Sequence, residues 1–288
     1  MTGRRIILFL IALLPLARCL SQGTDMGIDK NPGLFTGISA GVINPVVTHD
    51  TKLLIETPDG QGKKAFTGAI ELGYMFTKAF GIRTGVGITS YQTDLLLQTY
   101  KDSLNLKDSE NDSYKLRISG SGIKEHDSFR NISIPINIIL NIRVSGSVSL
   151  FAEPGISLSF AAGNTFSGSS TFTYKGYYPE YNVLLENLPS HGFVSNSIIK
   201  SEGKPELKKV WTDFVFYGGL KFNISRKVQL LAGAGFSKSL TNISGYGDAN
   251  DFHLSPVNGT VNSLLGGAAK IATKYFGYGL SLRYYINR

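Results

Sequence analysis

From Arg130 to Val144 one parity of the chain carries Ile132, Ile134, Ile136, Ile138, Leu140 and Ile142, while the other carries Asn131, Ser133, Pro135, Asn137, Ile139, Asn141 and Arg143. A helix would spread these isoleucines around its circumference, whereas a strand places every second side chain on one face. After the turn-like Ser145-Gly146-Ser147 the alternation resumes, with Val148, Leu150, Ala152, Pro154, Ile156, Leu158 and Phe160 set against Ser149, Phe151, Glu153, Gly155, Ser157 and Ser159. The pattern predicts a hairpin with one greasy and one largely polar face.

Two more hairpins follow the same logic. Phe66, Gly68, Ile70, Leu72, Tyr74 and Phe76 lead to a turn at Thr77-Lys78-Ala79 and return through Phe80, Ile82, Thr84, Val86 and Ile88. Thr212, Phe214, Phe216, Gly218, Leu220, Phe222 and Ile224 lead to Ser225-Arg226-Lys227 and return through Val228, Leu230, Ala232, Ala234 and Phe236. Single strands at Leu34–Val42 and Phe276–Ile286 remain to pair and close the sheet. The expectation is an all-β, eight-stranded antiparallel up-and-down transmembrane β-barrel, with strands of ~10–14 residues, short periplasmic turns and long outer loops. The long connectors are expected at 48–64, 92–129, 162–209 and 239–274. They hold the acidic run Lys107–Asp112 and the tyrosine-rich Thr173–Tyr178. Phe76, Phe80, Phe222, Tyr275, Phe276, Tyr278, Tyr284 and Tyr285 fall near strand ends, where rings with polar tips suit the headgroup region.

The N-terminus explains how such a chain reaches a membrane. Arg4 and Arg5 precede the apolar run Ile6–Leu16, too short for a comfortable membrane span. Small residues Cys19 and Ser21 suit cleavage after Ser21, so residues 1–21 are expected to be a signal peptide and 22–288 the barrel domain. Arg18 before Cys19 disfavours lipid attachment at that cysteine. Cleavage would remove three arginines, lowering the net charge of +8 by three. With one cysteine in the whole chain, no disulfide framework or dithiol motif can form. The 33 glycines against 10 prolines, with 14 Tyr and 17 Phe, fit a turn-rich β protein better than a helical bundle.

The segment Phe129-Arg130-Asn131-Ile132-Ser133-Ile134-Pro135-Ile136-Asn137-Ile138, followed by Phe151-Ala152-Glu153-Pro154-Gly155, resembles the PorT-like porin-family outer-membrane β-barrel domain, in which an Ile-Pro-Leu strand precedes an aromatic-x-Glu-x-Gly return. Ile136 replaces the usual leucine, Asn141 stands where a lysine or tyrosine is usual, and the second and third outer connectors are long. The resemblance covers about two strands by motif. It implies an integral outer-membrane protein of diderm bacteria, and its founding member is associated with type IX protein secretion.

An eight-stranded bore is just wide enough to be filled by side chains. Glu71, Arg83, Arg143, Glu153, Asp213, Lys221 and Arg283 fall on the lumen parity, and charges in so narrow a space are expected to pair into a structural network. Glu71 and Arg83, on neighbouring strands, are the closest expected contact, with Glu153 and Arg283 a weaker suggestion. His49, His126, His191 and His253 sit one in each long connector with no metal-ligand spacing. His126 and Ser128 share a strand face, a pairing similar to that of lipid A deacylases, but no acid is clearly placed to orient the histidine. Gly245, Gly247, Gly266 and Gly267 do not form a phosphate loop. No catalytic group, cofactor or metal is expected. The positive balance is too diffuse for nucleic acid. Expected partners are outer-membrane lipid and lipopolysaccharide, together with the barrel-assembly machinery and, through the resemblance, secretion components. The connector lysines Lys52, Lys63, Lys64, Lys200, Lys204, Lys208 and Lys209 read first as ordinary surface solubility and second as contacts for anionic lipopolysaccharide. The expected role is non-enzymatic anchoring of surface loops, with a narrow pore or secretion accessory and a lipid-modifying hydrolase as alternatives.

Overall fold

The computed structural model describes residues 33–50, 59–205, 207–245, 254, 262–268 and 270–286. The expected signal peptide, His253 and Gly247 lie outside them. Eight long antiparallel strands hydrogen-bond in a ring: β1 (Gly33–Asp50), β2 (Asp59–Met75), β3 (Phe80–Lys107), β4 (Ser113–Arg143), β5 (Val148–Tyr178), then β8 (Val210–Asn223), β9 (Val228–Ser239) and β10 (Lys270–Tyr285). Two short strands, β6 (Val183–Leu185) and β7 (Ser197–Gly203), lie between β5 and β8 in sequence and pair with the upper part of β5. Each wall strand pairs with its sequence neighbour in the ring, and the first and last, β1 and β10, pair from Phe35↔Tyr285 to Asp50↔Lys270. Closure removes every free sheet edge at the level of the apolar belt, which is what lets a sheet exist in lipid.

The wall is inverted relative to a soluble protein. Ile70, Ile136 and Leu280 face outward at 66%, 59% and 57% exposure, in company with Ile38, Val86, Ile132, Ile156 and Leu220. Asn131, Asn137, Ser157, Ser159 and Ser281 are buried inside. A soluble sandwich with this sequence would do the opposite, so the exposed apolar belt decides for a membrane barrel. The short turns are tight: Thr77 Oγ1 accepts from the Ala79 and Phe80 amides, and Ser225 Oγ from those of Lys227 and Val228.

Three of the wall strands are far longer than expected. β3, β4 and β5 have 28, 31 and 31 residues, where ~9–11 suffice to cross the hydrocarbon. The stretch 92–129, expected as a loop, is instead two strands joined by a five-residue reversal at 108–112. There Asp108 Oδ1 accepts from the Glu110 and Asp112 amides, and Asn111 takes φ 69°. Likewise β5 runs on through Thr173–Tyr178, and β1 and β2 narrow the first connector to 51–58. The alternation above the belt is weaker because the outer face meets water: Gln92, Lys124, Ser167 and Ser169 replace isoleucines there, and register shifts near Ser121–Lys124 and Arg130–Asn131 interrupt the period. Two of the expected headgroup-level rings also turn inward. Tyr285 is buried against Phe35, and Tyr275 packs on the apolar cluster at the barrel mouth.

Candidate functional site

Within the bore, a few residues in from the tight-turn end of each strand, Glu71 on β2, Arg83 on β3, Glu153 on β5 and Arg283 on β10 meet. Arg83 Nη1 lies 3.1 Å from Glu71 Oε1 and Arg83 Nε 2.8 Å from Glu153 Oε2. Arg283 Nε donates to Glu71 Oε2 at 3.1 Å, and its Nη2 to Glu153 Oε2 at 3.0 Å, while Nη1 stands 2.7 Å from Glu153 Oε1. The Arg83–Glu153 approach is an ion pair without the angle of a hydrogen bond. Two cations alternate with two anions, so no charge is left alone in a space where isolation would be costly. Registers explain the meeting: Glu71 pairs with Gly37 and Gly85, and Arg283 with Gly37. A Cβ at Gly37 would come within 3.1 Å of Arg283 Cγ and 2.8 Å of the Leu282 carbonyl, so the glycine makes room for the arginine.

Below the quartet Phe35, Met75, Ile139 and Tyr285 form an apolar stopper. The Arg283 guanidinium lies 4.9 Å from the Phe35 ring centroid, and Tyr285 donates to Gln229 Oε1. Of the other lumen-parity charges, Asp213 is buried higher in the bore and accepts from Ser159 Oγ, and Lys221 is buried on β8. Arg143 corrects the expectation. It is exposed at the end of β4 and its Nε donates to the Ser145 carbonyl, because it sits opposite Ser149 on the last rung of the β4–β5 ladder, where the bore has opened to water. Above the quartet, and lined in part by Glu71 and Arg83, lies a cavity of about 160 Å³ with a mixed lining that includes Thr89, Asn131, Ser157 and Ser159 beside Tyr91 and Tyr275.

The outer mouth is closed by a second device. Ile43, Val47, Leu95, Leu97, Ile123, Phe129, Phe172 and Trp211 from the wall enclose Leu254, Leu264, Leu265 and Ala268 from the β9–β10 connector. A 3-10 turn at Leu264–Gly267 is capped by Ser263, whose Oγ accepts from the Leu265 amide. Glu125, inward on β4, holds this turn: Ser263 Oγ donates to its Oε1 and the Leu264 amide to its Oε2, both at 2.7 Å. Asp127, the next inward residue, is fully buried and receives no hydrogen bond from a donor at either oxygen. Burial, and then the Glu125 charge, pushes the Asp127 carboxyl up to about 9; burial also raises Glu125. The sequence reading missed this pair, although extending the inward parity of Asn131 upstream gives Phe129, Asp127, Glu125 and Ile123.

On the outer wall at the same height Asp94 accepts from His126 Nδ1 at 2.6 Å and pairs with Lys63 at 2.8 Å. Those contacts, Lys63 first, hold its carboxyl below the usual range. The acid that the sequence did not reveal beside His126 is therefore present. Ser128 shares the face, but no hydrogen bond joins it to His126. His49 lies on β1, His126 on β4 and His191 in a short 3-10 turn, so the three described histidines sit on separate elements. Among the described residues no group of His, Cys, Asp and Glu is arranged to hold a metal ion.

No family model and no curated protein matches the chain. Solved structures similar to it are barrels. Ail, the attachment invasion locus protein of Yersinia pestis, is 12% identical, with 88% of this chain and 99% of that chain covered and a TM-score of 0.31. Neisserial surface protein A is 15% identical, with 87% and 97% covered and a TM-score of 0.35. The outer membrane protease OmpT of Escherichia coli is 11% identical, with 92% and 100% covered and a TM-score of 0.30.

Proposed function

We propose that the protein is an integral outer-membrane barrel that conducts nothing, carries out no catalysis, and serves as a rigid base for the β-wall that β3, β4, β5 and β7 raise above the apolar belt, a surface for recognition. The observation that carries this reading is the double closure of the bore, by the ion quartet with its apolar stopper below and by the Glu125-held turn above. A transport path would need both of these to open, whereas a display role uses both as stiffening. The PorT-like resemblance supports the same architecture, and a part in secretion rests on its two-strand motif alone. The Asp94–His126 contact is the one feature favouring hydrolysis, and Asp94 is shared there with Lys63 in a solvated setting.

The test is reconstitution of the folded protein in planar bilayers at neutral pH. Barrels identified by heat-modifiable gel migration are expected to give no unitary current. Steady channel openings in the wild type would overturn the closed-barrel reading, and recovery of the mature product from the aqueous periplasm without detergent would overturn the membrane placement.

A further inference from the structure

Lys238 on β9 and Lys274 on β10 are directly opposite in register, and both side chains point outward. Their row continues on either side with Val46 and Phe214, and the row beneath is Asn44, Phe276, Phe236 and Phe216. In the row above stand Thr48, Ala272, Leu240 and Thr212, so among the described side chains no carboxylate faces the two ammoniums from their own strands or from the strands alongside. Neither lysine makes an ion pair or hydrogen bond among the described residues. The contrast with Lys63, matched to Asp94 at 2.8 Å, is sharp. Like charges directly opposite on a sheet repel. Here the repulsion sits in the upper part of the apolar belt, directly above exposed Phe236 and Phe276.

We propose that Lys238 and Lys274 form a binding site for the phosphate group of an anionic outer-leaflet lipid, whose acyl chains lie down the wall over Phe236, Phe276 and Phe216. Two ammoniums on adjacent strands, with Cβ atoms ~5 Å apart, bracket one phosphate from both sides and turn their mutual repulsion into joint attraction. The apolar row below selects a lipid over a soluble anion, because a hydrated phosphate alone gains nothing from the phenyl rings. The proposal rests on the membrane placement argued above and assigns that placement a specific contact.

The experiment uses the full chain folded in neutral detergent, with native mass spectrometry reading bound lipid. The probes are bisphosphorylated lipid A, the same glycolipid stripped of phosphate, and inorganic phosphate as competitor. The wild type is expected to retain phosphorylated lipid A. The Lys238→Gln/Lys274→Gln variant is expected to lose about 30-fold in affinity, from roughly one charge contribution per lysine, and Lys238→Arg/Lys274→Arg to keep it. Equal retention by the Gln variant, or equal retention of the phosphate-free glycolipid, would sink the proposal. Displacement of lipid A by millimolar inorganic phosphate would also sink it, since the site would then recognise a free anion. Heat-modifiable migration of every variant separates the two failures: an intact barrel without phosphate-dependent binding fails this proposal, whereas loss of detergent-dependent folding in the wild type fails the membrane reading.

Discussion

Glu153 is fully buried and meets the two arginines of the quartet at three nitrogens, where Glu71 meets them at two. Its replacement by Gln leaves Arg83 and Arg283 in the bore with Glu71 as their one carboxylate. Breaking a buried pair by removing a single partner costs roughly 3–5 kcal/mol. Glu153→Gln is therefore expected to lower the urea midpoint of the folded, fast-migrating gel band, while Arg143→Gln, exposed at the turn, is expected to shift it by no more than ~0.5 kcal/mol equivalent. An unchanged midpoint for Glu153→Gln would show that the network does not hold the bore. The contrast between these residues also marks what the sequence can reveal. Strand parity and hairpin pairing bring Glu71 to Arg83 without any structure. The meeting of Glu153 with Arg283 depends on how far the closing strands shear past one another, which parity does not specify, and Arg143 shows that parity stops meaning lumen where the ladder ends.

At the scale of elements, the turn at Leu264–Gly267 is latched to the wall through an acid pair that titrates abnormally. The Asp127 carboxyl, near 3.9 when exposed, is raised to about 9 in the folded protein. The folded state therefore binds a proton that the opened state releases across this interval. The stabilisation that this proton provides is full below about pH 4 and is lost as pH rises towards 9. The groups facing the pair are Glu125 itself and, through the wall, Asp94 with its Lys63 and His126 partners. Protection of the Leu264 and Leu265 amides, the intrinsic base-catalysed exchange rate at each pH divided by the observed rate, is expected to be greatest in mild acid and to fall steadily towards pH 9, and Asp127→Asn is expected to flatten that slope. Persistence of the full slope in the Asn variant would assign it elsewhere. The sequence concealed this latch for a physical reason: above the belt both faces of β3, β4 and β5 carry polar groups, so the period of two no longer shows as a contrast in hydrophobicity. Inside the hydrocarbon the contrast is enforced by lipid, and there the strands were legible nearly residue by residue.

The whole molecule is polar along its axis. The tight turns after β2, β4 and β8 lie at one end, and the reversal at 108–112, β6, β7 and the capped mouth at the other. In known barrels of this kind the short turns are periplasmic and the long excursions extracellular, and the lysine pair in the upper part of the belt demands the phosphate-rich leaflet on the same side as the mouth. Both arguments set one orientation, which can be read directly. With Cys19 as the chain's one cysteine, single reporters are easily placed at the two ends: Glu110→Cys in the reversal and Ser145→Cys in the turn between β4 and β5. In intact cells a membrane-impermeant maleimide is expected to label Glu110→Cys, and to reach Ser145→Cys only after the outer membrane is permeabilised. Labelling of both reporters in intact cells would mean an open or unfolded wall. The reverse pattern would put the tall β-wall in the periplasm, taking the recognition role and the phosphate site away from the cell surface together.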